Sequence, residues 1–533
     1  MKKILARVCT VMLMFTVFLS GCSGTAKVKN SEVPKETSSP AKTSKLSESP
    51  ITYKWLISEN PNYPCKNDSP IFKYYEEKTN VKIDFVSIPN ANYTEKYNIL
   101  LSSNDVTDIS YPKKANVYGP KGTFLKLNDL IEKYAENGKK YILSNKAKPF
   151  LLSSDGGIYV FQTIYEDKGD RLTYAWSYRQ DILNKLGLKE PTTPDEWYNV
   201  LKKVKEAYPN MIPLSYEKSA WRWDNIAGSF NVTVGMILNP TTDKFEFSPG
   251  TDNSKAAIEW FGKLYKEKLL DAEYFVNAKK DFDQKITSGK LFAWCEWATD
   301  SSNYTKNIRA GGQNDAVVNV AVPFKTSYGA NLLSTATYVA SDNVAALSPK
   351  IKNPETAIKF LDYIGFSKEG VAALNFGVPG VHWNMESYGP DYTDTELDKV
   401  IKGESGPWQL GYNNRMPRIS LKAIFPEAGK KKDVKDDEYQ KLLKAYKQKL
   451  EPYLRDTDPP AVGAFMSNEQ NDRSTEILTN CTTISEEYRS KFITGNEPLS
   501  NWTKFTDQLK KNNVAELEKI YNDAYVKYKA AIK

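Results

Sequence analysis

A chain of 533 residues with 26% charged and 12% aromatic residues is globular in composition and too long for a single hydrophobic core. Its net charge of +8 is spread along a sequence in which acidic and basic residues interleave, which describes a solvated mixed-sign surface and argues against nucleic-acid binding. With His382 as the only histidine, His-rich metal sites and a Ser-His-Asp triad are nearly excluded, and no metal or cofactor is expected.

The chain opens with Lys2, Lys3 and Arg7, followed by an apolar run from Val8 to Leu19. That run is too short for an ordinary membrane-spanning helix, so residues 1–21 read as a signal peptide. It ends in Leu19-Ser20-Gly21-Cys22, which resembles the bacterial lipobox, whose cysteine becomes acylated and then N-terminal. Residues 22–50 contain abundant Ser, Lys, Thr and Pro and no aromatic residue. They cannot bury enough apolar surface to fold and should form a flexible tether, about 30 Å long as a random coil. The predicted location is the outer face of a Gram-positive cell membrane, with Cys22 carrying the lipid. Cys65, Cys295 and Cys481 show no CxxC spacing or disulfide framework, and a buried free thiol is the favoured reading of Cys295.

In the body, "ITYKWLIS" (51–58) reads as a strand, "SPIFKYYEEKTN" (69–80) as a helix ending at Asn80, and "VKIDFVSIP" (81–89) as an alternating strand. This is a βαβ unit and implies a parallel sheet. A helix near 94–102 and a short strand in "VTDIS" continue the alternation. Between Gly157 and Arg171 the chain crosses into a second lobe. There Pro191 and Pro194 precede Asp195 and Glu196, a helix-start signal. "SKAAIEWFGKLYKEKLLDAEYF" is an amphipathic helix. "DFDQKITSGKLFAWCEW" gives a helix, a Gly289 cap and a buried strand. A strand follows near 336–342, then a helical pair with Pro354 in its first turn, and a largely helical pattern from about 400 onward.

Several segments together resemble the extracellular solute-binding proteins (family 1) of bacterial carbohydrate ABC transporters, in the large Gram-positive lipoprotein branch. They are "SYRQDILNKLGLKEPTTPDEWYNVLKKVK" (177–205), "KLYKEKLLDAEYF" (263–275), "ITSGKLFAWCEW" (286–297), "NPETAIKFLDYIGFSKEG" (353–370) and "KFITGNEPLSNWTKFTDQLKKNNVAELEKIYNDAYVKY" (491–528). Lys268 stands where that family's pattern has glycine, and Pro379 where an acidic residue often precedes Gly380. The resemblance implies an α/β fold of the type II periplasmic-binding-protein-like kind. Two α/β lobes would be joined by a hinge, with a ligand cleft between them and a C-terminal helical extension. The expected boundaries are 51–165 with about 325–350 for the first lobe, and 166–324 with 351–533 for the second. The implied function is capture of a sugar or oligosaccharide and its delivery to ABC permease subunits by a monomer. The sequence has no Walker A motif, so a separate ATPase would supply the energy.

Sugar binding needs aromatic faces for C–H patches, with carboxylates, amides and Arg for hydroxyls. Glu296, Trp297 and Asp300 lie at the end of the strand that begins at Leu291, where a cleft should open. Trp294 and Trp297 fall on opposite faces of that strand, and Trp294 reads as core. Trp221, Arg222 and Trp223 in "SAWRWDN", and Trp383 after "GVPGVH", are further candidates, while His382 reads as an incidental neighbour. Glu59 and Asn60 follow the first strand and Asp108 another; each reads equally as a cap or turn residue. Arg179 could reach a hydroxyl or could pair with Asp181. Two other classes stay open: a surface carbohydrate-active enzyme using two carboxylates such as Glu296 and Asp300, and a binding subunit that feeds a sensor kinase.

Overall fold

The computed structural model describes residues 45–533 except 60–63, 104, 114, 166–173, 219, 329–339, 402–404, 407–409, 411–415, 429–437, 455–459, 461 and 532–533. The expected signal peptide, Cys22 and most of the tether lie outside the described residues, as do Asn60 and part of the strand expected near 336–342. No described helix is long and apolar enough to cross a membrane. Residues 45–50, expected to belong to the tether, are instead pinned to the body. Leu46 donates its N–H to Thr79 O (3.1 Å), and Lys45 Nζ reaches Asn80 Oδ1 (2.7 Å).

In chain order the strands are β1 (Ile51–Glu59), β2 (Val81–Pro89), β3 (Ile109–Ser110), β4 (Phe161–Ile164), β5 (Tyr174–Arg179), β6 (Ile212–Ser215), β7 (Met236–Asn239), β8 (Lys244–Phe247), β9 (Leu291–Trp297), β10 (Val318–Val320), β11 (Ala340–Leu347), β12 (Trp383–Glu386) and β13 (Gly389–Tyr392). One sheet runs β2-β1-β3-β11-β4 and another β10-β5-β9-β6. β1 and β2 are parallel from Ile51↔Val81 to Glu59↔Pro89, with the helix Pro70–Thr79 between them. That helix stops at Asn80, which takes a left-handed φ of 61°, a conformation asparagine tolerates. Val81, Ile83 and Phe85 face the core in alternation, as the sequence pattern requires.

The core of the first lobe joins β1, β2 and β11 to the helices Pro354–Phe366 and Lys368–Phe376 and to Met416 and Ile419. The expectation that all of 351–533 belongs to the second lobe therefore needs correction. The chain stays with the first sheet through about Ile424 and joins the second core from the helix Glu438–Leu450 onward. Helix Pro354–Phe366 buries residues on most of its circumference. Its apolar pattern announces burial but does not say which sheet it covers. Gly365 permits the return, because a Cβ there would lie 2.3 Å from Pro417 O.

The second core gathers β5, β9, the helices Pro194–Ala207 and Asp252–Lys266, and the C-terminal helices Asn468–Thr494 and Trp502–Lys511. Thr193 and Glu196 form a reciprocal capping box at the first of these helices, an arrangement worth about 1 kcal/mol.

The helix Asp252–Lys266 ends with Lys268 at a φ of +58°. A β-carbon crowds the following carbonyl in this region, whereas glycine enters it freely. Lys268→Gly should raise the urea unfolding midpoint, a gain of about 0.5–1 kcal/mol, at an unchanged denaturant slope. A lowered midpoint would mean that the lysine side chain stabilises this turn by more than the backbone strain costs.

Candidate ligand cleft

The registers fix which sheet ends face the chain crossings. The chain leaves the first sheet after Ile164, enters the second at Tyr174, and returns between Val320 and Ala340. Tyr174 pairs with Trp297, and Ala340 pairs with Ile164. β3 runs antiparallel to β11 and parallel to β1, so Glu59, Pro89 and Ser110 end on the crossing side of the first sheet. The carboxyl ends of β1, β2 and β3 and the Trp297 end of β9 thus lie on the sides joined by the crossovers, where parallel α/β sheets bind ligands.

β9 is buried from Leu291 to Glu296, and then Trp297 emerges, 39% exposed. Its ring lies 4.3 Å from that of Tyr174. Trp294 is fully buried and meets Tyr304 edge-on at 5.8 Å, so the two tryptophans divide between core and surface. Cys295 is a buried free thiol, as are Cys65 and Cys481.

Glu296 faces inward with no exposed surface. Its Oε1 accepts the Trp297 N–H (3.0 Å), and its Oε2 lies 3.2 Å from Lys279 Nζ. Lys279 also pairs with Asp283, which accepts a hydrogen bond from Tyr304 Oη (3.2 Å). Burial disfavours charge on Lys279, but Glu296 and Asp283 together raise its pKa above the usual value. Both Glu296 oxygens are thus engaged within the fold, one by the Trp297 backbone amide and the other by Lys279. Asp300 closes a single 3-10 turn and directly precedes the helix Ser301–Ala310 at the same sheet end, without a side-chain capping bond to it.

The remaining sequence candidates separate. Glu59 is half-buried at the crossing end of β1. Asp108 precedes β3 instead of following it, and its Oδ2 accepts the Lys54 N–H (2.9 Å), away from the carboxyl ends. Arg179 ends β5 five residues from Tyr174, roughly 17 Å away along the strand. It is 3% exposed, doubly bonded to Asp181 (2.8 and 2.8 Å) and bonded to Gln313 (2.7 Å), so it clamps the far end of the lobe. Trp223 is core, 5.1 Å from Phe261 and 4.9 Å from the Arg489 guanidinium. Trp383 is also buried, donating Nε1–H to Gly377 O (2.7 Å) beside Ala372 and Phe425. His382 Nδ1 accepts the Val378 N–H (2.9 Å). Trp221 and Arg222 sit on the helix Ala220–Ile226, and their side chains lie outside the described residues.

Sequence reasoning missed Tyr174 and Lys279, because only the strand register brings the first to Trp297 and only the packing of the helix Lys279–Thr287 brings the second to Glu296. It also missed a hollow of about 420 Å³ in the first lobe, lined by Thr94, Asn98, Leu101, Ser102, Lys113 and Tyr118. A larger hollow of about 1090 Å³ opens beside β6, between the helices Asp252–Lys266 and Asn468–Thr494. None of the sequence candidates lines it. It reaches Ile212, whose partner Leu291 lies at the end of β9 away from Trp297.

Comparison with known proteins gives this geometry a context. The chain is 25% identical over 512 residues to the fructooligosaccharide ABC transporter substrate-binding protein FusA of Streptococcus pneumoniae serotype 4 (strain ATCC BAA-334 / TIGR4), covering 90% of this chain and 91% of FusA. It is 22% identical over 539 residues to the polygalacturonan/rhamnogalacturonan-binding protein YtcQ of Bacillus subtilis (strain 168), covering 97% of this chain and 98% of YtcQ. Its structure is similar to that of the alginate-binding protein AlgQ2 without calcium ion, with a TM-score of 0.74, 20% identity, and coverage of 90% of this chain and 99% of AlgQ2. FusA in complex with kestose gives a TM-score of 0.73 at 20% identity, over 90% of this chain and 100% of FusA. The fold is that of the type II periplasmic-binding-protein-like solute-binding proteins. The description "Bacterial extracellular solute-binding protein" matches residues 67–371, more than half of the chain, and the chain belongs to that family.

Proposed function

We propose that this protein captures an oligosaccharide between its two lobes and delivers it to the permease of an ABC importer whose ATPase is a separate subunit. We propose further that it works as a monomer held on the outer face of the membrane by an acylated Cys22. The observation that carries the saccharide reading is the indole of Trp297, exposed beside Tyr174 at the sheet end where the chain crosses between lobes. An indole exposed beside a second aromatic ring offers a flat apolar face, which suits the C–H patch of a sugar ring. The ligands printed in the names of FusA and YtcQ support the same class. Glu296 is buried and committed to Lys279 and the Trp297 amide. That arrangement favours a binding protein over an enzyme in which this carboxylate would serve as an acid or nucleophile.

Calorimetry with kestose, maltotriose and trigalacturonate is expected to find micromolar binding, about 8 kcal/mol, for at least one trisaccharide. Trp297→Ala should weaken that binding ten- to hundredfold, about 1.4–2.8 kcal/mol. Unchanged affinity in the variant would remove Trp297 from the site, and a wild-type protein indifferent to all three sugars would count against the saccharide reading. In a Gram-positive host fed labelled palmitate, the wild type should take up label and Cys22→Ser should take up none. Equal labelling of the two, or no labelling of the wild type, would refute the lipid anchor.

A further inference from the structure

We infer that the hollow beside β6 is a second ligand site that takes an amphipathic anion, a carboxylate carried on an apolar body, with Lys268 as the residue that receives the acid. The site is separate from the proposed saccharide cleft and does not depend on it.

The hollow opens at the end of the second sheet away from Trp297. Ile258, Gly262, Tyr265 and Lys266 share one face of the helix Asp252–Lys266 and form one wall. Phe492 and Ile493, in the last turn of the helix Asn468–Thr494, form the other, with Leu499 just beyond. Leu270 lies between them, on a segment that runs parallel to β6 through its bridge with Leu214. The volume, about 1090 Å³, matches the largest small-molecule pockets.

The charges on this lining do not cancel. Three lysines and two carboxylates take part, Lys205, Lys266 and Lys268 against Glu259 and Asp271. Asp271 is already committed to Ser215, Asn277 and Lys285. Lys205 Nζ donates to Pro209 O (3.0 Å). Lys266 and Lys268 pair with no carboxylate among the described residues, so two exposed ammonium groups stand against Glu259 alone.

The backbone holds Lys268 in place at a cost. Its N–H donates to Tyr265 O (3.0 Å), the next N–H donates to Leu264 O (2.8 Å), and its φ is +58°. Glycine would take this conformation without strain, and strain kept by a longer side chain points to a use for that side chain. No ion pair within the described fold supplies one. An apolar hollow with an unpaired ammonium at its edge complements a ligand of the same division, its acid on Lys268 and its apolar body against Ile258, Leu270 and Phe492. A neutral apolar molecule would leave the ammonium groups unused, and a small inorganic anion would leave the apolar walls bare.

The test is calorimetry of the purified protein at neutral pH with decanoate, decan-1-ol and acetate. Wild type should bind decanoate at one site per chain, roughly tenfold or more tighter than decan-1-ol, and should not bind acetate measurably. Lys268→Gln should weaken decanoate binding by about tenfold, while Lys268→Arg, which keeps the charge, should bind as wild type does. Lys268→Gly, expected above to unfold at higher urea, should show the same loss, so that weaker binding accompanies greater stability and misfolding cannot explain it. Affinity for any trisaccharide that wild type binds should be unchanged in all three variants. Equal decanoate affinity in wild type and Lys268→Gln, equal affinity of wild type for decanoate and decan-1-ol, or no decanoate binding by wild type would each overturn the second site and leave the saccharide reading standing. Loss of trisaccharide binding in the Lys268 variants would overturn the separation of the two sites.

Discussion

The pairing of Tyr174 with Trp297 is the constraint on which the cleft depends. β5 begins where the chain arrives from the first lobe, and β9 ends there because it runs antiparallel to β5. One register therefore puts the interlobe crossing, an aromatic pair and the end of a buried strand in the same place. A slip of one residue would send Trp297 to the opposite face of the sheet and draw the buried Glu296 toward water. Trp294, Cys295 and Ala293 are fully buried in this register, and together they bury far more apolar area than the exposed part of one indole.

The helix Lys279–Thr287 secures both neighbouring strand ends through charge. Lys279 at its start pairs with Glu296 on β9. Lys285 near its end pairs with Asp271 (2.9 Å), which also accepts from Ser215 at the end of β6 (2.7 Å) and from Asn277 (3.0 Å). Burial alone would raise the Asp271 carboxyl, but bonds from Asn277, Ser215 and Lys285 hold it below the usual carboxylate range. Removing one partner of the buried Asp271–Lys285 pair would cost about 3–5 kcal/mol, whereas Lys279 is 46% exposed and solvent screens its pair with Glu296. Lys285 thus resists displacement of the helix from the end of β6, with a smaller contribution from Lys279 at the end of β9.

Much of this was legible in the sequence, for identifiable reasons. β1, β2 and β9 announce themselves by alternation or by apolar runs, and Thr193, Pro194 and Glu196 announce a helix start. The division of labour between Trp294 and Trp297 follows from strand geometry alone. The differences in placement share a cause. Trp223 and Trp383 sit among polar or glycine-rich neighbours that resemble loop surface, yet Arg489 and Phe261 cover the first and Phe425 packs on the second. Those partners are distant in sequence. Arg179 and Asp108 were ambiguous for the same reason, because local spacing does not reveal that Gln313 completes one arginine's bonds or that Lys54 claims one carboxylate. The pairing of residues 351–424 with the first sheet likewise depends on which surface an apolar helix finds, and its own periodicity cannot encode that choice.

The contacts between the lobes complete the physical picture. Lys121–Asp472 and Ser154–Asn468 (2.9 Å) join the first lobe to the helix Asn468–Thr494, and the lysine and aspartate side chains are 40% and 55% exposed. Exposed pairs of this kind contribute about 0–1 kcal/mol each. Contacts so weak neither lock the lobes together nor hold them apart. In the proposed reading, a ligand held between Trp297 and the first lobe would make all its contacts only when both walls are near, and its differential affinity would set the closed population. Shifting a two-state equilibrium from 1:99 to 99:1 takes about 5.5 kcal/mol, less than the roughly 8 kcal/mol of a micromolar interaction. In the proposed reading, weak direct contacts between the lobes leave closure to the ligand, which drives it only by the part of its affinity that differs between the open and closed states.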